Sequence, residues 1–498
     1  MNVLDGATIT APHLVDCDVA IVGSGPAGAA AARTMAEGGL RVVVLEEGPW
    51  VKPRDYPLDG FSAMARLYRD MGANVALGNA PMPVLQGRVV GGTSVVNGAI
   101  SWRLPEDVRA GWVQDDPALG ETLDAETLRQ LFDGIEADLG IAPTTDAVAG
   151  PKNLLMAKGA EALGLEHRPI ARNTRGCEGL GRCLQGCSAG RKQSMDLTYL
   201  PVACEHGAQI LSRVTVTGVE THSGRAIGVV GQAAGGGRVT VRAQHAVVLA
   251  ASAIQTPILL QKSGLRHGPV GLNLQAHPGV AVVGQFRETV RMWEGATQGH
   301  EVIGLRKEGI KFEALGYDPA IIAGRMDGMG REFARNLSQM DHEAHWGVAV
   351  RAHGRGRVRV GFRGRPMIQY NLTSRDVNCL RRGVRVLGEM FFAAGAERVL
   401  PGAHGFAAVV DNVRDIVRFE TEGPTRPDAY HGAITHLFGT CKMGSDPATS
   451  VVRADFRHHT VAGLYVADSS VFPTATGVNP QTAILAFATL CGRRVLAA

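Results

Sequence analysis

Short apolar runs broken by glycine dominate the first fifty residues. Asp18 to Val22 is an apolar run bounded by glycine, Pro26 to Glu37 is rich in alanine, and Arg41 to Leu45 is β-branched. Asp18 to Gly48 therefore predicts strand, helix, strand. A second αβ-like stretch runs from Gln193 through a helix near Tyr199 to Ala203, then strands over Gln209 to Glu220, Arg238 to Arg242 and Ala246 to Leu249. From about Pro278 the pattern changes. GVAVVGQF, HEVIGLR, IKFEAL, HWGVAVRA and GRVRVGF are short runs separated by turn residues with few helical stretches between them, which predicts an antiparallel sheet. A helix over Ser374 to Ala394 follows. After His436 the chain returns to glycine-rich turns, a strand GLYVAD and a final helix over Thr482 to Ala497. No repeat at a solenoid period is visible.

Length sharpens this picture: 498 residues, at roughly 150 per domain, imply about three units, or two where one is large and split. Hydrophobic residues at 45% and charged residues at 20% are ordinary globular usage and leave no case for wholesale disorder. The net charge of +4 is spread along the chain, so it gives no argument for nucleic acid or an anionic membrane. The longest apolar stretch, Ala246 to Ile254, is interrupted by Ser252 and falls far short of the roughly 18 residues a membrane span needs. The amino terminus, MNVLDGATITAPHLVDCD, carries acidic residues where a signal peptide would carry basic ones. A soluble, cytoplasmic protein is expected. Its eight cysteines are too few for a disulfide scaffold. Glycine is the outlier, with 64 residues, about 13% against an average near 7%, which points to tight turns and to backbone held close to something.

The chemistry begins with Gly23, Gly25 and Gly28, a G-x-G-x-x-G between the first strand and helix. The first glycine allows the turn, the second lets backbone approach a pyrophosphate, and the third lets the helix pack on the strand, while the helix N-terminus offers N–H groups to the anion. Glu46, eighteen residues beyond Gly28 at the end of the second strand, stands where an acid accepts hydrogen bonds from an adenosine ribose. Together these features predict dinucleotide binding and leave NAD and FAD open.

Gly87-Arg88-Val89-Val90-Gly91-Gly92-Thr93-Ser94-Val95-Val96-Asn97-Gly98 packs four glycines and small polar groups into twelve residues, so the backbone can lie against a flat ring. This segment resembles the flavin-lining GRVVGGTSVVNG-like segment of the glucose-methanol-choline (GMC) oxidoreductases, which use FAD. Ser252-Ala253-Ile254-Gln255-Thr256-Pro257 resembles that family's second signature, and Asn273-Leu274-Gln275-Ala276-His277-Pro278 its N-L-x-x-H element. The carboxy-terminal blocks His436 to Gly444, Gly463 to Asp468 and Gly477-Val478-Asn479-Pro480-Gln481 recur in the family in that order. The resemblance runs from about residue 16 to the end and is weakest between about 290 and 430.

The resemblance implies a discontinuous Rossmann-like FAD-binding domain (residues 1–110, 190–290 and 432–498), a connecting cap (111–189) and a substrate domain on an antiparallel sheet (291–431), that is, α/β plus α+β. It implies cofactor contacts from Gly23, Gly25, Gly28, Glu46, Arg88, Gly91, Gly92, Thr93, Asn97, Ser252, Asp468, Asn479, Pro480 and Gln481, and from Val216, on the strand whose backbone touches the adenine. His436 stands where the family has its catalytic histidine, and Asn479 where it has the partner that hydrogen-bonds the substrate oxygen. Oxidising an alcohol requires loss of a hydroxyl proton and a hydride, and imidazole is the usual proton acceptor near neutral pH. The implied activity is FAD-dependent oxidation of a primary or secondary alcohol, with O₂ or another electron acceptor. Three alternatives stay open: a dehydrogenase feeding a quinone or redox protein, a lyase of the hydroxynitrile type, and a flavin-binding protein without turnover.

Two positions depart from the family. Members with covalently bound flavin carry a histidine immediately before the asparagine of the glycine-rich segment; Val96 stands there, so noncovalent FAD is expected. The second signature usually opens with glycine, and Ser252 takes that place. Cys177-x5-Cys183-x3-Cys187 is read as a structural loop like that of long-chain alcohol oxidase relatives. An iron–sulfur cluster is the alternative, and a three-thiolate zinc site is less favoured. No metal is assigned.

Overall fold

The computed structural model describes residues 1–498 except 325 and 327. Its largest sheet has eight strands, drawn from both ends and the middle of the chain. Val3–Asp5, Gln209–Ser212, Val42–Leu45, His13–Val22 and Arg238–Leu249 lie side by side in parallel. The last of these pairs in parallel with Leu464–Val466 at its C-terminal end and antiparallel with Arg225–Ala233 at its start. Val19 to Ile21, Val42 to Leu45 and Val247 to Leu249 are all buried, the continuous apolar pattern of parallel strands covered on both faces. The helix Pro26–Glu37 owes its alanine run to close packing: a Cβ on Gly492 of the final helix, Gln481–Leu496, would come within 2.9 Å of Thr34.

The expected strand over Gln209 to Glu220 is two strands, Gln209–Ser212 and Val214–His222. The break falls at Arg213, whose φ of 53° turns the chain from the parallel strands into an antiparallel meander. Conversely, Arg238 to Arg242 and Ala246 to Leu249 are one strand with an irregularity between Ala243 and Ala246.

A second, seven-stranded sheet is built largely from Gln275–Gln285, Glu343–Val350, Ile310–Leu315 and His300–Val302, all antiparallel. Gly432–Phe438 pairs with Gln275–Gln285 along its other edge. Sheet membership thus cuts across the limits expected from sequence, because Gln275–Gln285 and Gly432–Phe438 belong to this sheet, while GRVRVGF forms Arg357–Val360 in a separate small sheet. The helix Ser374–Ala394 covers one face. Thr373 and Asp376 close its N-terminus in a capping box, Gly395 ends it at φ 105°, and Phe391 stacks on Trp346 with ring centroids 3.7 Å apart. Among the described residues no helix is long and apolar enough to cross a membrane.

Candidate active site

The glycines of the first motif are fixed by backbone. Gly23 ends the strand at φ 100°, and a Cβ there would meet Ala250 O at 2.5 Å; a Cβ on Gly28 would meet Gly23 O at 1.8 Å. Gly25 differs, since its Cβ would find only Gly92 Cα, at 3.8 Å. No side chain caps the helix that starts here, so its N–H groups are left for an anion. Ser24 joins the neighbouring segments: its N–H and Oγ donate to Glu46 Oε2 at 3.1 and 2.7 Å, and its Oγ accepts from Gly91 N at 3.1 Å. Gly48 N donates to Glu46 Oε1 at 2.8 Å. Burial nevertheless pushes the Glu46 carboxyl above its usual value, against those donors, so further hydroxyl donors, such as those of a ribose, would be welcome there.

Gly91 and Gly92 both have positive φ, and Thr93 Oγ1 accepts from Gly87 N at 3.0 Å. Asn97 Nδ2 donates to Gln481 Oε1 at 2.6 Å, linking the glycine-rich segment to the final helix. At that helix Pro480 occupies the cap position without a side-chain cap, and Gln481 Nε2 and Thr482 Oγ1 are buried without a partner. Two uncapped helix starts, the second of them with orphaned buried donors, fit an elongated polar group such as a dinucleotide. Val96 is buried among Tyr68, Val89 and Val95.

Other expected residues are placed differently. Ser252 adopts φ 90°, a conformation that favours glycine, and its Oγ accepts from Gln86 Nε2 at 2.9 Å. Asp468 is buried and already engaged: its carboxylate accepts from Ser252 N at 3.0 Å, Thr256 Oγ1 at 2.5 Å and Ser470 N at 2.8 Å. Its side chain ties the end of one strand to the Ser252 turn. Val216 does not line the open cleft of about 990 Å³ beside the Glu46 edge; its neighbour Thr215 does, with Glu47, Arg88 and Arg213.

The second constellation assembles around His436. A register shift in the pairing of Gln275–Gln285 with Gly432–Phe438 falls between Ala276 and Pro278, so His277 meets His436 across the irregularity, Nδ1 to Nδ1 at 3.2 Å. Gly477 N donates to His277 Nε2 at 2.9 Å. His277 is therefore protonated at Nδ1 when neutral, and it donates to His436 Nδ1. Burial holds His277 well below the ordinary histidine value, helped by His436, Arg351 and Lys311. Burial also pushes His436 down to about 4, with Glu313 opposing and Lys311 assisting. On the same side Asn479 Oδ1 accepts from Lys311 Nζ at 2.8 Å. Both predicted catalytic residues thus stand in one region. His277 and Lys311 are additions: the first lay inside the N-L-x-x-H element without an assigned role, and nothing in the sequence pattern singled out the second.

The cysteine loop closes over a buried cation. Arg172 Nη2 donates to Cys183 Sγ at 3.1 Å and Nη1 to Cys177 Sγ at 3.5 Å, while Lys192 Nζ donates to the carbonyls of Cys183, Val95 and Asn97. Burial raises the Cys183 thiol, but Arg172 and Lys192 outweigh it and hold it below its usual value. Among the described residues no three His, Cys, Asp or Glu side chains are grouped to hold a metal ion. Lys192 ties this loop to the carbonyls of the glycine-rich segment.

Comparison with known proteins bears on this geometry. The GMC oxidoreductase family profiles match residues 64–279 and 352–488, and an FAD binding domain profile matches residues 18–52. An uncharacterized GMC-type oxidoreductase of Mycobacterium tuberculosis (strain ATCC 25618 / H37Rv) is 36% identical over 485 residues, 96% of this chain and 75% of that protein. A long-chain-alcohol oxidase of Arabidopsis thaliana is 29% identical over 519 residues, 99% of this chain and 70% of the relative. Pyridoxine 4-oxidase from Mesorbium loti has a similar fold, with a TM-score of 0.72 at 19% identity over 96% of this chain and 98% of that one.

Proposed function

The chain belongs to the GMC oxidoreductase family, and we propose that it oxidises a primary or secondary alcohol to a carbonyl with noncovalently held FAD. The observation that carries this reading is the grouping of His436, His277 and Asn479 in one region of a chain that has an FAD-binding domain. Gly23 to Gly28 and Gly91 to Asn97 would hold the cofactor's diphosphate and ring, Glu46 its ribose, and Gln481 and Thr482 would supply donors at the far end. When bound, FAD supplies the hydride acceptor, at its N5.

The protein's part is the proton and the orientation of the substrate. His436 is neutral above about pH 4, the state a base requires. Its Nδ1 carries the lone pair, which His277 approaches at 3.2 Å. Proton uptake at Nδ1 displaces that contact, whereas uptake at Nε2 keeps it with its direction reversed, His436 donating to His277, and gives up the bond from Gly477 to His277 instead. Asn479 holds the substrate oxygen. In the proposed division, residues 1–110, 190–290 and 432–498 form the FAD-binding domain, 111–189 the connecting cap and 291–431 the substrate domain, with the strands that carry His277 and His436 on the substrate side of the site.

Three measurements test parts of this reading. Anaerobic flavin reduction by alcohol should be flat with pH from about 6 to 9 and should fall below about pH 5, because the base is lost only as His436 protonates near 4. A base limb near pH 7 would point to another group. Acid or heat should release FAD into the supernatant, because the buried Val96 offers no histidyl link; flavin that precipitates with the chain would exclude noncovalent binding. Iron and acid-labile sulfide should be absent from the purified holoprotein, because the Arg172 guanidinium bridges two of the three thiols. Iron near-stoichiometric with FAD would favour the acceptor-dependent dehydrogenase.

A further inference from the structure

Lys311 sits on the strand Ile310–Leu315, where Ile310, Phe312 and Ala314 fill the core on the opposite face, and its own side chain is only 3% exposed. Its ammonium meets three acceptors: Glu301 Oε2 at 2.7 Å, Glu313 Oε1 at 2.5 Å and Asn479 Oδ1 at 2.8 Å. An ammonium has three N–H donors and accepts nothing, so these contacts exhaust it, and the edge of the Asn479 amide that faces it must be the oxygen. The amide is thereby fixed in one orientation, a choice that geometry alone leaves open.

The carboxylates that hold the ammonium are themselves held. Trp102 Nε1 donates to Glu301 Oε2 at 2.8 Å, Arg168 Nε to Glu301 Oε1 at 2.8 Å, and Gln298 Nε2 to Glu313 Oε2 at 2.9 Å. Burial alone would discharge Lys311, but Glu301 and Glu313 outweigh it and keep the amine charged. The Asn479 Nδ2 group, on the other edge of the amide from this cluster, donates to no described residue and is not among the fully buried side-chain atoms that lack a partner. It is a donor left without a protein acceptor on a side chain that keeps 9% of its surface exposed.

We propose that Lys311, clamped by Glu301 and Glu313, is a positioning residue that turns the Asn479 N–H toward the substrate oxygen, so that the site takes an oxygen acceptor: an alcohol oxygen as it gains negative charge, or a carboxylate. This rests on the reading of Asn479 as the substrate's partner. Direct contact with the substrate belongs to Asn479, and Lys311 acts through it.

The test uses the holoprotein as wild type, Asn479→Asp, Lys311→Met and Lys311→Arg, with two probes: sodium acetate, titrated by its perturbation of the flavin spectrum, and 1-hexanol, by anaerobic flavin reduction. Asn479→Asp keeps an oxygen on Lys311 but replaces the outward donor with a second carboxylate oxygen. It should retain FAD, weaken acetate by at least about tenfold and slow reduction by about 10²-fold or more. Lys311→Met should shift both readouts the same way. Lys311→Arg, still a cation with only donors, should recover part of each. The double variant Lys311→Met with Asn479→Asp should be no worse than the poorer single variant. Acetate binding to Asn479→Asp within twofold of wild type, no acetate response in the wild type, or additive losses in the double variant would overturn the proposal. If Lys311→Met fails to hold FAD, Asn479→Asp and Lys311→Arg still decide. If wild-type flavin is not bleached by 1-hexanol or any other alcohol, alcohol oxidation fails as the function, while the acetate titration still reports whether Asn479 presents a donor.

Discussion

His436→Ala should reduce its flavin with alcohol about 10² to 10⁴ times more slowly than wild type, a loss of roughly 3 to 5 kcal/mol of barrier stabilisation, while still binding FAD. In the proposed role the residue acts on the substrate proton, and its hydrogen-bond partner in the structure is His277 rather than the glycine-rich segments that would cradle the cofactor. Asn479→Ala should cost as much or less, because an orienting donor does not accept the proton. Combining the two should give less than the product of the single losses if the pair works as one unit. Stopped-flow reduction under anaerobic conditions, with FAD content measured on the same preparations, checks this. Near wild-type reduction by His436→Ala would remove it from the role of base.

A second large effect separates folding from cofactor binding within one motif. Gly28→Ala would place a Cβ 1.8 Å from the Gly23 carbonyl oxygen, a backbone atom that cannot step aside, and overpacking of this kind costs typically about 1 to 3 kcal/mol, occasionally more. This variant should melt earlier and purify nearly without flavin. Gly25→Ala meets only Gly92 Cα, at 3.8 Å, so its apoprotein should melt within a few degrees of wild type. FAD affinity should nevertheless fall by at least about tenfold, or about 1.4 kcal/mol, because the added methyl would take the space proposed for the diphosphate at the helix N-terminus. Thermal melts of the apoproteins and FAD titrations distinguish the two variants. Equal flavin retention by Gly25→Ala and wild type would show that no group approaches that backbone.

What the chain reveals by itself depends on whether a constraint is local. Gly23 and Gly28 answer to backbone atoms within five residues of each other or on the adjoining strand, so the motif spacing is enough to read them. Ser24, Gly91 and Glu46 meet because the strand end and the glycine-rich turn come together, which the order of motifs also implies. His277 could not be assigned in this way. It reaches His436 through a register shift between two strands about 160 residues apart in the chain, and no periodicity predicts where a ladder slips. Lys311 and Glu313 were hidden for a different reason. In IKFEAL they fall on the polar side of a regular alternation, which reads as a solvated face, yet that face meets Asn479, so Lys311 is buried and Glu313 largely covered. The FAD-side limits take in the strands Gln275–Gln285 and Gly432–Phe438, which belong to the second sheet, because motif resemblance follows residues that approach the cofactor, while sheet membership follows hydrogen bonding.

The most direct measurement mixes the purified yellow holoprotein with a panel of primary and secondary alcohols in the absence of oxygen and follows the flavin absorption band. Bleaching by at least one alcohol, with appearance of the matching carbonyl, is the expected result, and the response of the reduced protein to air then distinguishes an oxidase from a dehydrogenase that uses another acceptor. A flavin band that stays fully oxidised with every alcohol while the protein holds stoichiometric FAD would contradict alcohol oxidation, and would leave acid–base chemistry on a bound flavin, or no turnover, in its place.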